Sequence, residues 1–217
     1  MTKFSWTHFN AIPIVGIVRN LPMDCINDIA EAYADAGLTT IEITLNTPGA
    51  LQAITDLRSF IGDRLNIGAG TVCSMEELDL AINAGAAFIV TPVINEPVIS
   101  KCVANKITIF PGAYTPSEIY RAWSLGAEMI KVFPAATLGV DYIKDVLAPL
   151  NKIKLLPTGG VSKENFASFF KAGASGVGMG SNLFPRELID KKDWKALRSN
   201  LAEYTAIVRE IKARSNV

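Results

Sequence analysis

The sequence predicts an α/β fold in which parallel strands alternate with helices along the chain. Short runs rich in Ile, Val, Phe and Thr alternate with segments of helical periodicity. Eight strand candidates appear, and eight βα units are the number that closes a TIM barrel. The alternative, an open doubly wound sheet, is disfavoured because no GxGxxG turn follows the first strand. We therefore expect a (β/α)8 TIM barrel, with residues 1–217 forming a single domain.

The strand candidates are short apolar runs, as expected for parallel strands that are buried on both faces. In chain order they are IPIVGIVR (12–19), TTIEITL (39–45), NIGAGTV (66–72), AFIVTP (87–92), ITIFPG (107–112), EMIKVFP (128–134), KLLPTGG (154–160) and SGVGMGS (175–181). After the eighth strand, apolar residues recur at helical spacing from Trp194 to Ile211. This pattern predicts a closing helix packed on the barrel, and it favours that structural role over a cofactor or partner groove.

Glycines and prolines mark the boundaries of these units. Four glycines precede strands two, four, six and eight, where left-handed C-caps would end the helices: Gly37, Gly85, Gly126 and Gly173. Four prolines fall near the ends of strands four to seven, where a missing N–H need not interrupt the sheet: Pro92, Pro111, Pro134 and Pro157. The repeated spacing supports a βα unit that recurs.

Composition limits the kinds of partner. The 217 residues are 49% hydrophobic, with 21 basic and 21 acidic residues and no run of like charge. This balance argues against a nucleic-acid footprint or a basic membrane patch. The N-terminus lacks a signal-peptide h-region, and no apolar stretch approaches the roughly 18 residues of a membrane span. We expect a soluble, cytoplasmic protein whose partners are small molecules or copies of itself.

The cysteines and the single histidine exclude several chemistries. Cys25, Cys73 and Cys102 are widely scattered, which argues against a disulfide framework, and no Cys/His cluster suggests a zinc site. His8 precedes the first strand, so a Ser/His/Asp or Cys/His mechanism has no suitable base. We expect no metal and no cofactor, and any chemistry should use Lys, Arg, Glu, Asp, Tyr or a hydroxyl.

Polar residues at the C-terminal ends of the strands are the candidates for a TIM-barrel active site. They are Arg19, Glu42, Thr44, Asn46, Thr71, Thr91, Lys131, Thr158 and Ser181. Lys131 and Glu42 should meet inside the barrel if the strand faces that carry them both point inward. A structural reading makes Lys131 a lysine that snorkels from a strand end, with Glu42 as its salt-bridge partner. Two charges in an otherwise apolar barrel favour function instead.

A buried lysine has a specific chemical use. Desolvation lowers the pKa of the amine, and a neutral amine can attack a carbonyl to form a Schiff base. A nearby carboxylate such as Glu42 can then move protons, directly or through water. PTGGV after strand seven and GMGSNLF after strand eight supply glycine amides for a phosphate, with Ser181 as a possible cap of a short helix.

These motifs resemble the 2-keto-3-deoxy-6-phosphogluconate (KDPG) aldolase family. IEITLNTP, GAGTV, IVTP, IFPGAYTPSE, IKVFPA, PTGGV and GVGMGSNLF occur in that family's order and spacing, from about residue 14 to residue 184. The resemblance implies a class I aldolase on a TIM barrel, usually trimeric and needing no metal. It implies that Lys131 forms the Schiff base, that Glu42 is the acid/base and that Thr71 lies beside the pyruvate carboxylate. The phosphate pocket would comprise Gly159, Gly160, Gly180 and Ser181.

Two positions point to different branches of that family. The phosphogluconate branch typically has an arginine on strand two, where this chain has Asn46, and Arg19 instead ends strand one. That exchange resembles the 2-keto-3-deoxy-6-phosphogalactonate branch. We assign carboxylate binding to Arg19, because a guanidinium can hold a carboxylate through two hydrogen bonds from either strand. Thr158 matches the phosphogluconate branch, and a hydroxyl there can discriminate between C4 epimers.

The resulting prediction is a class I aldolase that cleaves 2-dehydro-3-deoxy-6-phosphogluconate to pyruvate and glyceraldehyde 3-phosphate. Aldolases for the phosphogalactonate epimer or for 4-hydroxy-2-oxoglutarate (KHG) are alternatives with the same mechanism. A phosphosugar isomerase or thiamin-phosphate-type barrel would use Lys131 only to bind an anion. A barrel that binds phosphorylated metabolites without catalysis is the remaining alternative, and the intact pair of Lys131 and Glu42 argues against it.

Overall fold

The computed structural model describes residues 3–215, so both ends of the predicted 1–217 domain lie outside the described residues. The helices are α1 (Trp6–Ala11), α2 (Ile26–Asp35), α3 (Ala50–Ile61), α4 (Met75–Ala84), α5 (Glu96–Ala104), α6 (Pro116–Ser124), α7 (Ala135–Leu147), α8 (Phe166–Lys171), α9 (Arg186–Asp190) and α10 (Trp194–Ser215). The strands are β1 (Ile14–Val18), β2 (Thr40–Thr44), β3 (Asn66–Gly70), β4 (Phe88–Val90), β5 (Thr108–Phe110), β6 (Gly112–Ala113), β7 (Ile130–Val132), β8 (Leu155–Pro157) and β9 (Val177–Met179). The eight predicted strands are confirmed, and the fifth is divided into β5 and β6.

The strands are parallel and form a curved arrangement. Six strands pair in the order β5-β4-β3-β2-β1-β9, and three pair in the order β6-β7-β8. At one junction Pro111 alone separates β5 from β6, and its carbonyl accepts a hydrogen bond from the Lys131 N–H at 2.9 Å. At the other junction a single bridge pairs Thr158 with Gly178. The chain thus has an α/β fold with a curled parallel sheet.

Each face of the curled sheet packs into its own apolar cluster. The outer cluster lies between the strands and the helices, and it includes Ile14 and Val18 of β1. The inner cluster contains Val15 and Ile17 from the same strand, because successive side chains alternate across a strand. Its other members are Phe9, Phe88, Val90, Phe110, Met129 and Leu156.

Aromatic side chains fill the N-terminal end of this interior. The Phe4 ring lies 5.2 Å from the Phe88 ring and 5.7 Å from the Phe110 ring, both edge-on, and Trp6 and Phe9 pack beside it. Such edge-to-face pairs add to the free energy gained from burial. With this end filled by rings, space for a ligand remains at the C-terminal ends of the strands.

Capping residues mark the helix boundaries. Ser74 and Thr115 begin α4 and α6 with capping boxes, in which each side chain accepts a hydrogen bond from a backbone N–H three residues later. The four predicted C-cap glycines all adopt left-handed backbone, with φ of 87° at Gly37, 95° at Gly85, 100° at Gly126 and 102° at Gly173. The predicted closing helix is α10, which packs on α2 and buries Leu197, Leu201, Tyr204 and Val208.

Within residues 3–215, none of the helices combines the length and apolarity that crossing a membrane requires.

Candidate active site

Lys131 and Glu42 lie inside the curled sheet, as the side-chain alternation predicts. Lys131 is the central residue of β7 and is 3% exposed; Glu42 is the central residue of β2 and is 1% exposed. Two members of the inner apolar cluster adjoin the pair. Met129 precedes Lys131 by two residues in the chain, and Ile17 lies opposite Glu42 in the pairing of β1 with β2. Two ionisable groups are therefore held in an apolar interior, where each charge is costly without compensation.

The surroundings of Lys131 shift its protonation equilibrium toward the neutral amine. Burial lowers the pKa of Lys131, the Glu42 carboxylate opposes that shift, and the Arg19 guanidinium adds to it. Burial raises the pKa of Glu42, while the positive charges of Lys131 and Arg19 pull it down. Lys131 and Glu42 are thus close enough to each other and to Arg19 for these charges to act on both groups. The neutral amine is the form of lysine that attacks a carbonyl carbon.

Gly70 on β3 sets the position of the Glu42 side chain. A Cβ built on Gly70 would lie 1.6 Å from Glu42 Oε1 and 2.4 Å from Glu42 Cδ, so the carboxylate lies directly across the glycine. Glu42 Oε1 is buried and has no hydrogen-bond partner. Leaving a buried carboxylate oxygen without a hydrogen bond lowers the stability of the fold. The unpaired Glu42 oxygen is available to accept a proton from a substrate or a hydrogen bond from a bridging water.

Nine residues are assigned above to catalysis or to substrate binding, and seven of them line one cavity of about 450 Å³ at this end of the sheet. They are Arg19, Lys131, Thr158, Gly159, Gly160, Gly180 and Ser181. Glu42 and Thr71 are not part of the lining. Glu42 nevertheless acts electrostatically on Lys131, and the cavity therefore combines an amine, a guanidinium, a hydroxyl and two glycine-rich loops.

Thr71 has a strained backbone. Its φ is 60°, a left-handed conformation that β-branched residues rarely adopt. It follows Gly70 directly, and its carbonyl accepts a weak hydrogen bond from the Cys73 thiol at 3.6 Å. Strain of this kind clusters at functional sites, and the binding role of Thr71 stays a prediction.

Thr158 presents a buried hydroxyl to the cavity. Its Oγ1 donates to the Leu156 carbonyl at 3.1 Å, which leaves the oxygen lone pairs as acceptors. A Cβ on Gly178 would lie 2.3 Å from Thr158 Oγ1, so this glycine provides the space for the threonine. The hydroxyl is therefore fixed between two strands, as a group that reads a substrate hydroxyl must be.

The two predicted phosphate loops both reach the cavity, and one prediction about them is wrong. Gly159 and Gly160 have φ of 87° and 75°, which brings backbone rather than side chains to the cavity wall. Ser181 does not cap a short helix. The N–H groups of Leu183 and Phe184 donate to the Gly180 carbonyl and form a turn, and α9 begins only at Arg186, after Pro185. Proline is favoured at the start of a helix, which moves the boundary past Ser181.

Phe133, which the two-residue alternation places on the same strand face as Lys131, lines the cavity with its ring centroid 5.0 Å from Lys131 Nζ. Sequence reasoning missed other lining residues. Asn20, Asn182 and Arg186 also line the cavity. They lie in loops or at a helix start, where no periodicity reports side-chain direction.

The described part of the chain contains no group of three or more His, Cys, Asp or Glu side chains arranged to hold a metal ion. The three cysteines are free thiols, with Cys25 and Cys102 buried and Cys73 exposed. The polar groups in and beside the cavity are the amine, the carboxylate, the guanidinium groups and the hydroxyls described above.

Comparison with known proteins gives a consistent result. Residues 7–199 match the aldolase family described as KDPG and KHG aldolase. The 2-dehydro-3-deoxy-6-phosphogalactonate aldolase of Escherichia coli K12 is 37% identical over 174 residues, which cover 80% of this chain and 85% of that protein. The 2-dehydro-3-deoxy-phosphogluconate aldolase of Haemophilus influenzae is 32% identical over 199 residues, covering 91% and 93%.

A solved structure agrees with these relatives. The KDPG aldolase of Legionella pneumophila, with pyruvate captured at low pH as a covalent carbinolamine intermediate, superposes with a TM-score of 0.85 at 27% identity. The match covers 91% of this chain and 96% of that one. Because the family match extends over most of the chain, we conclude that this protein belongs to the KDPG and KHG aldolase family.

Proposed function

We propose that this aldolase is of class I and cleaves 2-dehydro-3-deoxy-6-phosphogluconate to pyruvate and glyceraldehyde 3-phosphate. The observation that carries the proposal is the buried Lys131 amine, whose pKa burial lowers, at the wall of a cavity that Arg19 also lines. The pyruvate adduct of the Legionella relative supports covalent chemistry on the keto carbon.

The reaction begins with imine formation. The neutral Lys131 amine attacks the C2 carbonyl carbon, the carbinolamine loses water, and a protonated imine results. Glu42 then accepts the proton of the C4 hydroxyl, directly or through one water, while the C3–C4 bond breaks and its electrons move into the imine. Glyceraldehyde 3-phosphate leaves, the remaining enamine is protonated at C3, and hydrolysis releases pyruvate and free lysine.

The iminium is the electron sink in this scheme, so the reaction needs no metal ion and no cofactor. Arg19 and Thr71 bind the carboxylate of the keto acid, and the backbone of Gly159, Gly160 and Gly180 with the Ser181 hydroxyl binds the phosphate. Treatment with a chelator should leave kcat unchanged. Loss of activity that only a divalent cation restores would contradict this part of the proposal.

Thr158 is proposed to select the C4 epimer. Its hydroxyl already donates to the Leu156 carbonyl, so it can accept a hydrogen bond from one substrate hydroxyl configuration. The phosphogalactonate epimer is the second candidate substrate, because of the E. coli relative and because Arg19 rather than a strand-two arginine serves the carboxylate. KHG is a third, since it forms the same imine and carries a second carboxylate in place of the C5 hydroxyl and the phosphate-bearing C6.

A coupled assay for pyruvate release from the two C4-epimeric phosphosugar acids and from KHG tests these alternatives. We expect the highest kcat/KM with the gluconate epimer, and Thr158→Val should reduce that preference at least tenfold. A wild-type preference for the galactonate epimer, or a Thr158→Val variant with unchanged preference, would overturn the assignment.

We further propose that the two sheets form one eight-stranded (β/α)8 barrel and that the chain is a single domain. The single-residue break at Pro111 and the bridge between Thr158 and Gly178 support this, because they lie at the two junctions where closure is required. We also propose that the protein is cytoplasmic. The cytoplasm is reducing, and the three cysteines are free thiols.

A homotrimer is the proposed assembly. Exposed aromatic side chains support it: Tyr120 is 52% exposed and its ring lies 5.7 Å from that of Trp123, which is 37% exposed. Both are on α6, and Tyr114 and Val93 are exposed in the loops nearby. Aromatic residues on a surface favour protein contacts. Sedimentation equilibrium should give three times the monomer mass, and Trp123→Glu should lower it.

A further inference from the structure

The cavity contains a second guanidinium group that the proposed reaction does not use. Arg186, the first residue of α9, lines the same cavity as Arg19 and Lys131. It follows the Ser181 turn in the chain and lines the same cavity as Gly159, Gly160, Gly180 and Ser181, the residues assigned to the phosphate. Neither the motifs nor the glycine-rich loops identified this residue.

Two hydrogen bonds orient Arg186 and leave most of its donors unused. Its Nη1 donates to the Asn20 carbonyl at 2.9 Å, and its Nε donates to Asp190 Oδ1 at 2.8 Å. A guanidinium has five N–H donors, so three remain, two of them on Nη2. The side chain is 59% exposed, which keeps these donors accessible to a ligand that enters the cavity.

The Asn20 carbonyl, which accepts the hydrogen bond from Arg186, is itself held in place, because hydrogen bonds link Asn20 to the end of β2. Asn20 has a left-handed φ of 53°, and its N–H donates to Thr47 Oγ1 at 3.0 Å. Thr47 is buried and its hydroxyl also contacts that of Thr44, so Asn20 is tied to the end of β2. Arg186 is therefore pre-oriented at the cavity, which reduces the entropy lost when it binds an anion.

The charges of the substrate assign a role to this group. A phosphate monoester carries about −1.5 to −2 charges at neutral pH, and the glycine-rich loops offer it only neutral amides and one hydroxyl. Among the described residues that line the cavity, the cations are Arg19, Lys131 and Arg186. Arg19 serves the carboxylate and Lys131 is consumed in the imine, so Arg186 is the remaining cation on the cavity lining.

We propose that Arg186 binds the terminal phosphate of the substrate and determines the preference for phosphorylated over unphosphorylated keto acids. This inference rests on the proposed function for its substrate. The fork of donors on a guanidinium matches phosphate oxygens, and charge-assisted hydrogen bonds of this kind are about twice as strong as neutral ones.

Steady-state kinetics of Arg186→Ala and Arg186→Lys with the phosphorylated acid and with KHG test the proposal. Arg186→Ala should raise the KM of the phosphorylated substrate by roughly 10- to 100-fold, with the KM of KHG changed less than about twofold. Arg186→Lys should recover part of the loss, because it keeps the charge but not the fork. Arg64→Ala is the matched control, since Arg64 is also an exposed arginine in an ion pair, with Asp35 at 2.6 Å, and lies outside the cavity.

The two substrates separate a phosphate contact from a structural effect. If Arg186 acted only by holding Asn20 and thus Arg19 in place, its loss would weaken the shared carboxylate contact, and both substrates would suffer equally. Equal loss with both substrates would therefore overturn the proposal, as would an unchanged KM for the phosphorylated acid.

A binding measurement separates this inference from the proposed function. Titration of inorganic phosphate against the unliganded protein, followed by phosphorus NMR line width, should show saturation that Arg186→Ala weakens at least tenfold and Arg64→Ala does not. Phosphate binding that is independent of Arg186 would refute the inference even in an active aldolase. Arg186-dependent binding in a protein that cleaves none of the substrates would refute the proposed function and retain the anion site.

Discussion

Replacing Gly70 with alanine should impair proton transfer and leave imine formation possible. The new Cβ would lie 1.6 Å from Glu42 Oε1, 2.4 Å from Cδ and 2.6 Å from Cγ. Gly70 does not have a left-handed φ, so the backbone accepts alanine and the perturbation falls on the carboxylate. To reach ordinary van der Waals contact the carboxylate must move by about 2 Å, and misplacement by about 1 Å can cost ~100-fold in rate.

The assay measures two quantities on the same variant. Pyruvate release should give a kcat reduced by ~100-fold or more. Borohydride trapping with pyruvate, carried to completion, should still label Lys131, since the amine and its cavity are unchanged. A Gly70→Ala variant with wild-type kcat would refute the idea that the position of Glu42 limits catalysis.

Gly68→Ala is the matched control for this experiment. Gly68 lies two residues earlier on β3, and its added Cβ would meet the Phe88 ring at 2.4 to 2.6 Å. This variant should lose stability through overpacking of the core but keep kcat within about threefold of wild type. If both glycine variants lost activity equally, distortion of the strand rather than displacement of Glu42 would be the cause.

Four further predictions concern the buried groups. Lys131→Met with Glu42→Leu should abolish turnover yet raise the free energy of unfolding in urea by ~1–4 kcal/mol, because two apolar side chains avoid the cost of burying ionisable groups; a less stable variant contradicts this. The rate of imine formation in stopped flow should rise with pH and level off below the ordinary lysine range, since burial lowers the pKa of Lys131 and only the neutral amine reacts. Glu42→Gln should shift that profile to lower pH, because the carboxylate raises the pKa of Lys131; an unshifted or upward-shifted profile contradicts the coupling. Tyr33→Phe should lower the free energy of unfolding by ~1–3 kcal/mol, because it leaves the Gly16 N–H and the Thr40 carbonyl without the Tyr33 hydroxyl as a hydrogen-bond partner. Unchanged stability would argue against these two hydrogen bonds.

The strands and the buried pair were predictable because both depend on local patterns. Buried β-branched runs located all eight strands, and side-chain alternation placed Lys131 and Glu42 on inward faces. Proline has no N–H to donate, and the fifth predicted strand is interrupted at Pro111.

Other features depend on contacts between distant residues or on loop conformation. The close approach of Gly70 to Glu42 depends on the register of β2 against β3, and a single sequence does not report it. Arg186 reaches the cavity only because the turn after Gly180 redirects the chain before α9. The expected helix cap at Ser181 was wrong because the same glycine carbonyl accepts the N–H groups that would have begun that helix.

Borohydride reduction in the presence of pyruvate, followed by mass spectrometry of the digested protein, tests the central claim most directly. The account predicts one stoichiometric pyruvyl adduct on Lys131, and its absence in Lys131→Ala together with loss of cleavage. An enzyme that remains unlabelled and fully active after borohydride treatment, or an adduct on a different lysine, would contradict it.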